Sequence, residues 1–395
     1  MDGNRLVIFD MILFLLIISS SSFITMSTLE DNDTIEVPTH YATIQEAINA
    51  ASPGDIILVS SGTYYEHLIV NKSISLKSVN LHEAIIDGNG TGTVIRILEQ
   101  NIRIEGFIIQ NSGELMGAGA HVLDTNASVI IGNIFSQCDV GVRVDTSDYT
   151  QIEENVFKNN KVGVLLWYHG QGNIVKNNTM KDNGEGVRLG AYSSGTKVNG
   201  NTIFRNHNGV YIDNSWNNTI EDNVIYENSL DGIYLYGVIA LDNVVRRNNI
   251  TENRGGIYVF ISKENLIYHN NFINNTRQAQ VLGDSPNSWN LAYPEAGNHW
   301  SNHVVTDLYR GFYQNVTGSD GVGDVPYIID QDNIDRYPFV SEFVQVRDEQ
   351  TPYTPLVGIL LVLFMVGIAT LVIMPRLLLR RKGREYEQDE VNQPA

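Results

Sequence analysis

From about Ile130 to Asn275 one pattern of apolar and polar positions recurs. An aliphatic residue is followed, after two intervening positions, by Asn, then after one intervening position by an apolar residue, and after two more by a second Asn. A Gly then opens a short apolar run. Ile152-Glu-Glu-Asn155-Val-Phe157-Lys-Asn-Asn160 ahead of Gly163 is one copy, and Ile220-Glu-Asp-Asn223-Val-Ile225-Tyr-Glu-Asn228 ahead of Gly232 is another. The first Asn falls at 133, 155, 178, 201, 223, 248 and 270, a period of 22 to 25 residues with no helical spacing inside it. Such a period, with several short strands and Asn/Gly corners per turn, predicts a parallel β-helix whose coils stack at about 4.8 Å. The run after each Gly supports this. In Gly141-Val-Arg-Val, Gly163-Val-Leu-Leu, Gly186-Val-Arg-Leu, Gly209-Val-Tyr-Ile, Gly232-Ile-Tyr-Leu and Gly256-Ile-Tyr-Val the first and third residues are aliphatic and belong inside. The second Asn column, at 160, 183, 206, 228, 253 and 275, reads as an interior amide ladder, and Cys138 takes its slot in an earlier coil as a structural residue.

Ahead of these coils the repeat degenerates, as in Ile104-Glu-Gly106-Phe-Ile108, and three or four irregular coils are expected. Thr43-Ile-Gln-Glu46 is a capping box, and Ile44, Ala47, Ile48 and Ala51 form one apolar helical face, so a short helix should cover the open end of the solenoid. The termini carry membrane signals. Residues 11–18 (MILFLLII) within 1–26 read as a signal peptide or N-terminal anchor. Leu356–Met374 is an uncharged apolar stretch long enough to span a bilayer, followed by Arg376, Arg380, Arg381, Lys382 and Arg384. The expected order is N-terminal cap and irregular coils at 36–128, regular coils at 129–282, a C-terminal cassette at 283–345, a linker at 346–355, a single transmembrane helix at 356–374, and a cytoplasmic tail at 375–395. The body then lies outside the cell or in the periplasm.

Composition narrows the function classes. The chain of 395 residues has 26 Lys+Arg against 45 Asp+Glu, a net charge of −19, which excludes a polyphosphate-binding surface and hence nucleic acid as partner. A single Cys rules out an intrachain disulfide framework. N-x-S/T sequons begin at Asn32, Asn71, Asn89, Asn126, Asn177, Asn217, Asn249, Asn274 and Asn315, the pattern of a surface glycoprotein, although several of these Asn are expected in the interior.

The outward positions of the Gly-led strands form two columns. One holds Arg143, Leu165, Arg188, Tyr211, Tyr234 and Tyr258; the other holds Asp145, Trp167, Gly190, Asp213, Tyr236 and Phe260. Arg143, Asp145, Trp167, Arg188, Tyr211, Asp213, Tyr234, Tyr236 and Tyr258 are therefore the candidate ligand-binding residues, offering aromatic and charged groups to a glycan or a cell-surface protein. The same rings could equally serve as cross-strand pairs that only stabilise the sheet. Catalysis needs two carboxylates about 5–9.5 Å apart, and Asp145 and Asp213 stand three coils apart. No compact Asp/His/Arg cluster on adjacent coils is expected, so no catalytic residue is assigned. His299 and His303, with Asp307 nearby, are candidate copper or zinc ligands, and Asp320 and Asp324 could serve Ca²⁺.

Tyr41-Ala-Thr-Ile-Gln-Glu-Ala-Ile-Asn-Ala-Ala-Ser-Pro-Gly-Asp, Gly62-Thr-Tyr-Tyr-Glu and the Asn-rich coils resemble the NosD-like periplasmic copper-binding family, over roughly residues 36–340. Gly297-Asn-His-Trp-Ser, Gly318-Ser-Asp-Gly-Val-Gly-Asp-Val-Pro-Tyr and Tyr337-Pro are similar to the C-terminal cassette of surface-anchored archaeal members. The resemblance implies a right-handed parallel β-helix shared with carbohydrate-binding and sugar-hydrolase domains, and a surface or periplasmic location. The expected protein is thus all-β, a right-handed single-stranded parallel β-helix of about ten or eleven coils, anchored by one membrane pass and binding glycan or protein. The alternatives are a polysaccharide hydrolase, lyase or epimerase, and a copper-binding maturation factor; Ca and Cu are the candidate cofactors.

Overall fold

The computed structural model describes residues 33–344. Each regular coil makes three short parallel strands, such as Gln151–Glu153, Val156–Lys158 and Val162–Trp167, and each strand pairs with its counterpart one period away. Three sheets result, two of eleven strands and one of ten. The chain is an all-β parallel solenoid of about 11 turns, right-handed as parallel crossover connections are. The expected alternation is borne out: Val142, Val144, Val164, Leu166, Val187, Leu189, Val210, Ile212, Ile233, Leu235, Ile257 and Val259 are all buried.

The corners explain the asparagines. At each corner one residue adopts the left-handed conformation, for example Glu154 (φ 57°) and Asn159 (φ 57°), and the next residue turns its side chain inward. Both Asn columns of the repeat are buried ladders, whereas sequence reasoning had placed only the second inside. In the first, Asn178 Oδ1 accepts the backbone N–H of Asn155 at 2.9 Å and its side-chain amide at 3.1 Å, and Asn201 Oδ1 does the same for Asn178 at 2.9 and 3.0 Å. In the second, Asn160 donates to Asn183 and Asn183 to Asn206, and Cys138 N–H donates to Asn160 Oδ1 at 2.9 Å, so the thiol does occupy a ladder slot. Burial pushes the Cys138 thiol up to about 11, which keeps it an inert packing group. A third ladder, Asn218, Asn243, Asn265 and Asn287, fills the remaining corner. These amides satisfy corner N–H and C=O groups that no strand can reach.

Helix α1 (Ile44–Ala50) has the expected capping box between Thr43 and Glu46 and buries Ile44, Ala47 and Ile48. It stands in for a strand at the start of the ten-stranded sheet. Gln45 Oε1 accepts the N–H of Ile69 at 2.8 Å, satisfying part of the first strand's open edge, while Glu66 accepts the N–H groups of Ile44 and Gln45 at the helix start.

The cassette closes the other end of the core. Trp300 stacks between Phe272 (4.5 Å between ring centroids) and Tyr327 (4.1 Å), and Trp289 packs against it. Two ladders also end there. Asn287 N–H donates to Asn333 Oδ1 at 3.0 Å, and Asn298, which follows Asn270 in the first ladder, donates its N–H to Asp335 Oδ2 at 2.7 Å. Among the described residues no helix is long and apolar enough to cross a membrane. The expected signal segment at 1–26 and membrane helix at 356–374 lie outside the described residues.

Candidate functional site

The ten-stranded sheet carries the candidate residues on its outer face, because eight of its strands have six residues and present more than one outward position each. Backbone register aligns His121, Arg143, Leu165, Arg188, Tyr211, Tyr234, Tyr258 and Gln280 in one column. A parallel column pairs Leu123 with Asp145 and Asp145 with Trp167, then resumes through Gly190, Asp213, Tyr236, Phe260 and Leu282. A third column, not anticipated from the sequence, runs ahead of the glycines and includes Val140, Val162, Glu185 and Asn208 in pairing, with Asp231, Gly255 and Arg277 above them. Leu165 is covered, packed with Ala118 and Val140 in a small apolar cluster on the outside of the sheet.

The tyrosines stack on one another. Tyr211 and Tyr234 lie 4.8 Å apart and 5° from parallel, and Tyr234 and Tyr258 lie 4.9 Å apart. Their faces are spent on their neighbours, so the stack stabilises the sheet and presents ring edges and hydroxyls outward. Burial raises the phenol pKa of Tyr211 and Tyr234, so both stay neutral hydrogen-bonding groups at physiological pH.

Below the stack the charged residues close on each other. Asp145 accepts from His121 at 3.0 Å and from Arg143 at 2.6 Å. Burial works to raise the Asp145 pKa, but hydrogen bonds from His121 and Arg143 outweigh it and hold the carboxyl below its usual range. This is the compact His/Arg/Asp cluster on adjacent coils that was not expected. It was missed because His121 sits in an irregular coil, without the repeat's spacing ahead of it. Arg188 binds Asp213 at 2.7 Å and reaches Glu185 at 3.6 Å, with its guanidinium 4.8 Å from the Tyr211 ring and 5.3 Å from Trp167. Burial, reinforced by Asp213, pushes the Glu185 carboxyl up despite Arg188. Arg277 and Asp231 make a further pair at 3.4 Å.

Beside Trp167 the face opens into a cavity of about 390 Å³, lined by Trp167, Tyr192, Asp213, Asn214, Val238 and Ile239. A wider groove of about 960 Å³ follows the second corner, where Lys161 pairs with Asp139 and Arg205 with Asp182. The expected metal ligands are dispersed. His299 Nδ1 lies 3.3 Å from the Phe339 carbonyl and His303 Nε2 lies 3.0 Å from that of Val325. Asp320 accepts the N–H groups of Gly311 and Val322, and Asp324 those of Leu308 and Tyr309, so these carboxylates brace their own loop. Among the described residues no group of three or more His, Cys, Asp or Glu is placed to hold a metal ion. The sequon asparagines correct another expectation. Asn71, Asn89, Asn126, Asn177, Asn217, Asn249, Asn274 and Asn315 are all exposed, the buried ladders use other asparagines, and no sequon falls in the three outward columns.

Comparison with known proteins fits this architecture. The family model described as periplasmic copper-binding protein (NosD) matches residues 19–183 and 98–304. A cell surface glycoprotein of Methanothermus fervidus is 30% identical over 343 residues, covering 74% of this chain and 56% of the relative, so the chain spans about half the length of that curated relative. The catalytic domain of a GH87 α-1,3-glucanase in complex with tetrasaccharides superposes with a TM-score of 0.55 at 12% identity, over 66% of this chain and 58% of that one. The enzymatically active domain of bacteriophage CBA120 tailspike protein 2 gives 0.55 at 13% identity, over 73% and 52%. At such identities these two likenesses concern the fold alone. On the family match and the archaeal relative, the chain belongs to the NosD family of parallel β-helix proteins.

Proposed function

We propose that this is an extracellular, cell-surface β-helix protein that binds a glycan along the outer face of its ten-stranded sheet without cleaving it. The observation that carries the reading is the Tyr211–Tyr234–Tyr258 stack, whose spacing of 4.8 and 4.9 Å sets a row of phenol groups at nearly the repeat of an extended saccharide chain. The surface glycoprotein relative supports the location. Arg188, whose guanidinium lies between Glu185 and Asp213, supports binding rather than hydrolysis at that pair of carboxylates.

The copper named in the family's description does not fit the donors described. Among the described residues no group of three or more His, Cys, Asp or Glu is placed to hold a metal ion, Cys138 is a buried ladder residue, and of the two described methionines Met180 is buried in the core and Met116 stands alone at the surface. The test of the glycan reading is a glycan array on the full-length chain beside the Tyr211→Ala/Tyr234→Ala double variant. Binding by the native chain that falls at least tenfold in the variant is expected. No bound glycan sinks the reading, and equal binding by both proteins removes the tyrosine stack from it.

A further inference from the structure

We infer that the cavity beside Trp167 is a binding site for one neutral pyranose ring; this deepens the glycan reading and rests on it. Gly190 occupies the column position after Trp167 and makes room for the indole that walls the site. A Cβ there would lie 2.3 Å from the Trp167 ring, so only glycine lets the indole lie down over the strand. Tyr211 has another tyrosine stacked on it, whereas the column position after Trp167 carries no side chain, and the indole has Arg188 5.3 Å from its ring and Tyr168 edge-on while still lining the cavity. An indole wall of this kind is the surface on which the C–H face of a sugar packs.

The polar side of the cavity is held in place. Asp213 Oδ1 accepts from Asn214 Nδ2 at 3.0 Å and Oδ2 accepts from Arg188 at 2.7 Å, so a carboxylate and an amide stand side by side with fixed orientation. Such a pair offers both acceptors and a donor to adjacent sugar hydroxyls. The loop beyond them turns at Gly237, whose φ of 107° favours glycine and where an added Cβ would run into the Asn214 side chain. At about 390 Å³ the cavity sits near the small end of ligand pockets, which suits one ring of a chain whose next units pass onto Tyr211 and Tyr236.

Charge selects the sugar class. Beside the cavity the Arg188 guanidinium already binds Asp213 and reaches Glu185, so two carboxylates face one cation there. A uronate entering beside Asp213 would meet a like charge and a guanidinium that is already committed. A neutral hexose meets hydrogen-bonding groups and an indole face.

The experiment is calorimetry on the full-length chain with neutral gluco-, manno- and galacto-hexasaccharides and with oligogalacturonate of equal length, repeated on Trp167→Ala, Asn214→Ala and Tyr211→Ala/Tyr234→Ala. At least one neutral hexamer is expected to bind at least tenfold more tightly than the uronate, and both cavity variants to weaken it at least tenfold. Native affinity in both cavity variants, with loss in the tyrosine variant, overturns the cavity and leaves the wider reading standing. A preference for the uronate overturns the neutral-sugar assignment. Binding of none of these probes overturns both.

Discussion

Asp335 Oδ2 accepts the backbone N–H of Asn298 at 2.7 Å, joining the last asparagine of the first ladder to a buried carboxylate 37 residues further along the chain. The indole N–H of Trp300 donates to the same oxygen at 2.9 Å, and the N–H of Tyr337 donates to Oδ1. A Cβ on Gly297 would collide with this carboxylate, so the Gly-Asn-His-Trp motif is shaped around Asp335.

That position makes the cap sensitive to pH. Burial drives the Asp335 pKa up from 3.8 to about 7, against the pull of its donors. A raised native pKa means that the folded protein holds a proton the unfolded chain has lost, so the group's contribution to stability is complete below about 4 and is lost as pH rises through about 7. Thermal unfolding of the native chain should therefore shift to lower temperature between pH 5 and pH 8, with a stability slope of at most about 1.4 kcal/mol per pH unit from this residue. The Asp335→Asn variant should lack that part of the slope. Parallel pH profiles for the two proteins would show that Asp335 is not its source.

The ladders predict a large cost for one interior amide. Asn201 accepts twice from Asn178 and donates to Val175 O, Asn199 O and Asn223 Oδ1. Asn201→Ala leaves several buried partners unmatched, at roughly 1–3 kcal/mol each, so a loss of about 3–5 kcal/mol is expected in urea titration. Asn199→Ala, two positions away on the outer surface with only long contacts to Glu221 and Asp222, should cost less than about 1 kcal/mol. Equal losses at the two sites would contradict the ladder account.

The exposed sequons predict where carbohydrate can be attached. In a host that N-glycosylates secreted proteins, glycopeptide mass spectrometry should find modification among Asn71, Asn89, Asn126, Asn177, Asn217, Asn249, Asn274 and Asn315, all at the surface. The Tyr211–Tyr258 face should stay bare, and removing Asn177 and Asn217 as Gln should leave glycan binding unchanged. Unmodified peptides at all eight positions in such a host would refute this.

Much of the site was legible in the repeat, and what was missed has identifiable causes. The columns through Arg143 and Asp145 follow from counting two residues at a time after each Gly. The Glu185 column does not, because strict alternation points that residue inward. The pairing runs Val162 with Glu185 and then Val164 with Val187, skipping Gly163 and Gly186, so a bend at the glycine returns Glu185 to the outer face. The third ladder was hidden because Thr150 and Thr196 stand where other coils begin their corner, and the backbone N–H of each donates to the side-chain oxygen of the asparagine in the next coil.

What the sequence by itself determined is the period, the inward aliphatic positions, the capped helix and the sharing of one face by Tyr211, Tyr234 and Tyr258. All of these depend on spacing that recurs from coil to coil, and a solenoid turns equal spacing into contact. Tertiary structure alone decided which charges close on each other, how Trp167 lies over Gly190, and where the ladders end on Asn333 and Asp335. Those features depend on side-chain direction and on contacts made once, between segments with no common period, and a one-dimensional pattern carries no record of either.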